Sequence, residues 1–220
     1  MKEHADYATR PCHAGGNRMK AQNKHSALTR LLVLAMACTL SVPANSHVVG
    51  GEAGGFLSGL EHPISGMDHI LAMVSVGLWG SQLGAPAIWL LPITFPLVMA
   101  FGGFLGLIGI PFAGVEVGIA LSALLLGAAV MTQWRPPLLA AAALVGVFAL
   151  FHGHAHGAEL PPGESGLLYS IGFVVATGLL HLVGISIGTV HKWAWGRRFL
   201  QAAGAGVAMG GVYFLWQATL

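Results

Sequence analysis

Six apolar segments, each near the length needed to cross a bilayer, restrict this chain to a short menu of folds. They run near residues 56–81, 87–109, 113–133, 137–156, 166–189 and 198–218. A helix needs about 20 residues to traverse the hydrocarbon core. Within lipid only helices and closed barrels satisfy every backbone donor and acceptor. Barrel strands are about 10 residues of strict alternation, and these runs are longer and do not alternate. The breaks between them are turn-forming: Gly84-Ala85-Pro86, Gly109-Ile110-Pro111, Arg135-Pro136-Pro137, Pro161-Pro162-Gly163 and the basic run "HKWAWGRR". Only 8% of residues are charged, against about 25% in soluble domains. The sequence therefore predicts an all-α integral membrane protein, a six-transmembrane-helix bundle.

The front end reads as an address. Residues 1–25 are polar and aperiodic; Lys20, Lys24 and Arg30 then lead into "LLVLAMACTLSV", the length of a signal-peptide core and too short to span. "PANSH" places Ala44 and Ser46 at the small-residue positions of a cleavage site. Residues 1–46 are thus expected to be a polar extension plus a cleavable signal peptide, with Met19 as a plausible true start. Residues 47–220 are expected to be the working domain. The alternative, an uncleaved first anchor helix, also puts residue 47 outside the cytoplasm. Cys12 and Cys38 both precede the cut, so the mature chain has no thiolate to offer a metal.

With residue 47 outside, the inside loops are 82–86, 134–136 and 190–197. Arg135, Lys192, Arg197 and Arg198, all the Lys and Arg beyond residue 46, lie in or beside the last two, while Glu52, Glu159 and Glu164 lie outside. That is the positive-inside pattern, and it predicts a bacterial cytoplasmic-membrane protein whose mature N-terminus faces outward. No basic stripe exists for nucleic acid; the bilayer itself is the expected surrounding. Gly102/Gly106, Gly184/Gly188 and Gly206/Gly210 have the spacing of close helix–helix seams.

Against this oily background the ionisable residues stand out, because each costs roughly 2.5–3.5 kcal/mol at bilayer depth on insertion scales. "HPISGMDH" carries His62, Asp68 and His69; "FHGHAHGAE" carries His152, His154, His156 and Glu159; His181 lies deep in the fifth segment. On one continuous helix His62 and His69 share a face about 10 Å apart, which suits successive stations rather than one ion. Pro63 would mark the start of regular helix. Counted along their helices, Asp68, His69 and His181 reach similar depths, which permits a shared mid-membrane site. His152 and His156, four apart, with Glu159 seven from His152, share a helical face. Such a pair chelates a borderline divalent cation such as zinc, nickel or cobalt, and His154 joins if the helix unwinds. Glu116, one turn into the third segment, serves either the path or packing, and His47 stands at the new N-terminus as a further candidate. Met67 and Met73 read as apolar filler.

These motifs resemble the HupE/UreJ family of membrane accessory proteins of hydrogenase and urease systems. The matching stretches are "GGFLSGLEHPISGMDHILAMVSVGLW" (54–79), "VEVGIALSALLLG" (115–127), "FHGHAHGAELP" (151–161) and "ATGLLHLVGISIG" (176–188). The resemblance implies a six-helix permease importing nickel or cobalt. It implies His62, Asp68 and His69 as one metal motif and His152, His156 and Glu159 as a second, with His154 an addition. It also implies self-association or contact with metallocentre maturation proteins. The separate nickel/cobalt permease pattern His-x4-Asp-His fits less well, since five residues separate His62 from Asp68.

The expected function is therefore divalent-metal uptake, with Ni²⁺ or Co²⁺ as passing substrate and no permanently bound cofactor. Neutral imidazole is the ligand, so uptake weakens as histidines protonate. No Gly-x4-Gly-Lys-[Ser/Thr] phosphate loop occurs. The rivals are an intramembrane metalloenzyme, which the lack of a helical His-Glu-x-x-His disfavours, and a metal-sensing accessory subunit.

Overall fold

The computed structural model describes residues 52–160 and 162–220; the expected leader, its cleavage site and His47 lie outside them. Seven helices are described: α1 (Glu52–Ser65), α2 (Met67–Leu83), α3 (Ala87–Leu107), α4 (Val115–Thr132), α5 (Leu138–Ala158), α6 (Gly166–Gly188) and α7 (Ala194–Gln217), with a 3₁₀ turn (Thr189–Lys192) before the last. Among the described residues five helices, α3 to α7, are long and apolar enough to cross a membrane, so the chain is an all-α multi-pass bundle.

The expected first span is not one helix. It breaks at Gly66, whose backbone is extended (φ −100°, ψ 121°) between α1 and α2. Pro63 lies inside α1 instead of starting a helix, and lacks the N–H that would bond back to Gly59. Gly66 leaves room for the two side chains that follow: a Cβ there would stand 2.7 Å from Asp68 Oδ1 and 2.9 Å from His69 Nδ1, and would displace them. The break lets both side chains fold back over the start of α2. Asp68 Oδ1 accepts the His69 backbone N–H at 2.9 Å, which fills one of the orphan donors at a new helix start and sets a carboxylate against its positive end. The stretch 61–69, EHPISGMDH, holds both Pro63 and Gly66, and residue type alone does not say at which of them the backbone breaks.

Both halves of the broken helix pack on α6, in parallel with it. Gly59 meets the Tyr169 backbone, Gly77 the His181 carbonyl, and Gly188 meets Leu78 and Ser81. In the same way α3 runs parallel to α5, with Gly102 and Gly106 against Leu150 and His154 and with Gly153 and Gly157 against Met99 and Gly103. Two of the three expected glycine seams are therefore real contacts. The third is misplaced: nothing stands within 4 Å of a Cβ on Gly206, and Gly210 meets only the Leu71 and Phe214 side chains. The antiparallel α4–α7 contact runs instead through Gly127, Gly204 and Gly211; these are not four apart on α7, so the small-xxx-small spacing missed them.

Each helix sorts its faces accordingly. On α3, Leu91, Phe95 and Met99 are buried while Ile93, Leu97, Phe101 and Phe104 are exposed. An exposed stripe of this kind suits hydrocarbon. At the far end of α2, Trp79 Nε1 donates to the Trp134 carbonyl at 2.9 Å and Gln82 Nε2 to that of Val130 at 3.2 Å. These bonds hold the C-terminal ends of α2 and α4 together and leave the opposite end of the bundle to the histidines.

Candidate metal site

Two helix C-termini converge on one pocket. His62 lies in the last turn of α1 and His156 in the last turn of α5, where Glu159 is the closing residue. Each such end carries a partial negative charge of about half an electron, so the backbone alone favours a cation between them. His62 Nε2 lies 3.3 Å from Glu159 Oε2, and the His62 ring meets that of His156 at 4.6 Å, edge to face.

The break at Gly66 then delivers a further imidazole from the start of α2. The His69 ring lies 4.5 Å from His156 and 4.8 Å from His152. Two ligand groups result, His69–His152–His156 and His62–His156–Glu159, each with donor atoms within 4.8 Å of one another. His156 belongs to both. The straight-helix expectation of two well-separated stations fails for this reason: once the helix is interrupted, His62 and His69 press on the same ring.

Hydrogen bonds decide which nitrogens are available. Asp68 Oδ1 lies 2.8 Å from His69 Nδ1. A carboxylate accepts, so Nδ1 carries the proton, and the buried Nε2, which has no partner, presents its lone pair. Ser122 does the same for His152. Its hydroxyl donates to the Ile119 carbonyl at 2.6 Å, so at 2.9 Å it accepts from His152 Nε2, leaving Nδ1 unpartnered. Both nitrogens of His156 are buried without partners. Buried polar atoms are nearly always hydrogen-bonded; three imidazoles with unpartnered nitrogens, offering donor atoms within 4.8 Å of one another, are the arrangement a metal would satisfy.

Glu159 and His62 form the open side of the cluster, and His156 and His152 are buried. The side chains of Glu159, His62 and His69 are 55%, 30% and 13% exposed, and His152 is fully buried. An apolar cleft of about 260 Å³, lined in part by Met99, Gly103, Tyr169 and Phe173, opens beside His156.

Other sequence candidates sit elsewhere. Asp68 joins neither ligand group; it orients His69 from behind. His154 is turned away, its Nε2 donating to the Ile110 carbonyl at 2.7 Å and its ring against Phe112, because α5 stays helical to Ala158 and residues 152 and 154 face apart. Glu116 is exposed in the first turn of α4, outside both groups. His181 is buried but does not share the site. It lies within about two turns of the His69 level, since Gly77 packs on its carbonyl. However, the Phe95 ring stands between, 5.5 Å from His152 and 5.3 Å from His181. Axial counting could not reveal a residue intruding from α3. Ser122 was also not legible, since a serine in an apolar helix ordinarily bonds its own backbone.

Ser122→Ala is expected to weaken metal binding about 10-fold, the lower range for loss of a group that orients a ligand, while His69 and His156 remain in place. Equilibrium dialysis of radiolabelled nickel against the purified variant measures it.

Comparison with known proteins covers the same ground. A protein-family model described as "HupE / UreJ protein" matches residues 34–214. Protein HupE of Rhizobium leguminosarum bv. viciae is 44% identical over 193 residues, which make up 87% of this chain and 98% of that protein. No solved structure matches the chain. Both the extent of the family match and the near-complete cover of this relative lead to one conclusion: the chain belongs to the HupE/UreJ family.

Proposed function

We propose that this protein is a permease that carries nickel or cobalt across the cytoplasmic membrane and supplies hydrogenase or urease maturation. The observation that carries the reading is the unpaired imidazole cluster at the junction of α1, α2 and α5. Its donors are nitrogen and carboxylate oxygen without sulfur, a set suited to borderline divalent ions. Glu159 and His62, the more exposed pair, meet the hydrated ion; His156 then transfers it to His69 and His152 as water is stripped away. Sites in series must bind weakly enough to release, and sharing one imidazole between two ligand groups keeps both incomplete.

The broken first helix supports a six-pass reading. α1 and α2 together follow α6 from end to end in the same direction, so the pair counts as one crossing and the five long helices as the others. Interrupted helices that present their ends to a bound ion near the bilayer interior are a recurrent transporter device. With the basic loops inside, α1 begins on the outer side and the cluster opens outward.

Nickel flux into proteoliposomes holding only this chain tests the reading. Radiolabelled nickel is expected to accumulate above the level of empty liposomes. Asp68→Ala, which frees the His69 ring, is expected to lower the rate about 10- to 100-fold. Liposomes equally tight with and without the protein would remove the transport reading and favour a sensor or hydrolase.

A further inference from the structure

Below Phe95 lies a second set of buried polar groups that the histidine cluster does not use. His181 is 1% exposed and Thr177, one turn before it on α6, is fully buried. Residues four apart share a helix face, so both present to the same side. Neither ring nitrogen of His181 nor the Thr177 hydroxyl has a hydrogen-bond partner of ordinary geometry. The hydroxyl's isolation is unusual, because a helical threonine readily bonds the carbonyl one turn back.

The third group comes from α3. Pro92 and Pro96 both lie inside that helix. Residue 96 should donate its N–H to the carbonyl of residue 92, and as proline it has none. The Pro92 carbonyl thus loses its helical partner, on the stretch of α3 whose Phe95 ring packs 5.3 Å from that of His181. Two prolines in the middle of an apolar helix are costly unless something uses the groups they free.

We propose that His181, Thr177 and the Pro92 carbonyl form an inner station, occupied by the divalent cation after it leaves the histidine cluster. The inference rests on the transport reading above. Imidazole nitrogen, hydroxyl oxygen and carbonyl oxygen are acceptable ligands for nickel or cobalt. None carries a charge, so this station holds a dication less firmly than the carboxylate-assisted outer groups, and passage onward is favoured. Phe95 separates the stations, so that transfer requires its ring to move.

The test measures equilibrium binding of radiolabelled nickel to the purified full-length chain, and nickel flux into proteoliposomes, on the same preparations. His181→Ala and Thr177→Val are expected to keep wild-type binding at the outer cluster and to lower flux about 10-fold. Pro96→Ala supplies the missing N–H to the Pro92 carbonyl while leaving every side-chain ligand in place, and is expected to slow flux in the same direction. Wild-type flux in His181→Ala and Thr177→Val overturns the inner station. If His156→Ala, run in parallel, has lost binding and flux, the outer cluster stands without it; if His156→Ala transports normally, the transport reading falls and the inner station with it. Should His181→Ala fail to accumulate, Thr177→Val, which preserves side-chain shape, decides the matter.

Discussion

His156→Leu is expected to abolish nickel binding and nickel flux together while leaving the metal-free protein at least as stable as the wild type. The imidazole of His156 is the one ligand common to both groups, His69–His152–His156 and His62–His156–Glu159. Its removal leaves neither group with three donors. Losing a supporting partner of a ligand costs up to about 100-fold in affinity, so losing the shared ligand itself is expected to exceed that. Stability moves the other way because His156 is 4% exposed with both ring nitrogens unpartnered. An unsatisfied buried polar group costs about 1–3 kcal/mol, and leucine in its place removes that cost and packs against Phe173, whose ring centre lies 4.1 Å away. A stabilised but inert variant is the signature of a site kept for function. His154→Ala, two residues away, is the contrasting case: its ring serves the Ile110 carbonyl, so flux is expected to persist. Equilibrium dialysis, proteoliposome flux and thermal unfolding in detergent supply the three readouts. Nickel binding of wild-type strength in His156→Leu would refute the ligand assignment.

The hydropathy runs identified α3 to α7 because each is long enough to be seen without tertiary information. The first span was the exception, since its backbone breaks at Gly66 within a stretch where the length of the segment suggested one helix. Pro63 and Gly66 were both visible; which of them marked a boundary depended on how Asp68 and His69 fold back, and that is a tertiary fact. For the site, the cost of burying ionisable groups drew notice to His62, His69, His152, His156 and Glu159, the residues that the structure brings together. Their partnerships were hidden. Helical spacing relates His152 to His156, but nothing in one sequence relates α1 to α5. Composition hid Ser122, Phe95 and the Pro92 carbonyl more thoroughly, because serine, phenylalanine and proline are ordinary in membrane helices. His154 shows the converse: its joining the cluster depended on an unwound helix, and α5 stays regular to Ala158 with the ring held at the Ile110 carbonyl.

Gly153→Val is expected to cost about 3 kcal/mol or more, at or above the upper end for overpacking, and to leave little folded protein in the membrane fraction. A Cβ on Gly153 would stand 2.0 Å from the Met99 carbonyl oxygen and 2.9 Å from the Gly103 nitrogen. Both obstacles are backbone, so no side-chain rotation relieves them, and α3 must move bodily from α5. In lipid there is no hydrophobic gain between helices to offset such a separation, because close van der Waals packing is itself the main attraction. The consequence reaches the metal site through two neighbours on the same helices. His152 is a candidate ligand whose ring packs on Phe95 of α3, so spreading the seam also detaches the histidine cluster from the residue beneath it. Gly206→Val isolates the effect of packing from that of composition. It makes the same substitution in a membrane helix where nothing lies within 4 Å of the added Cβ, and it is expected to accumulate and transport like the wild type. Comparing folded yield by size-exclusion chromatography and thermal unfolding in detergent tests the pair; equal stability of the two variants would mean that α3 and α5 do not meet at Gly153.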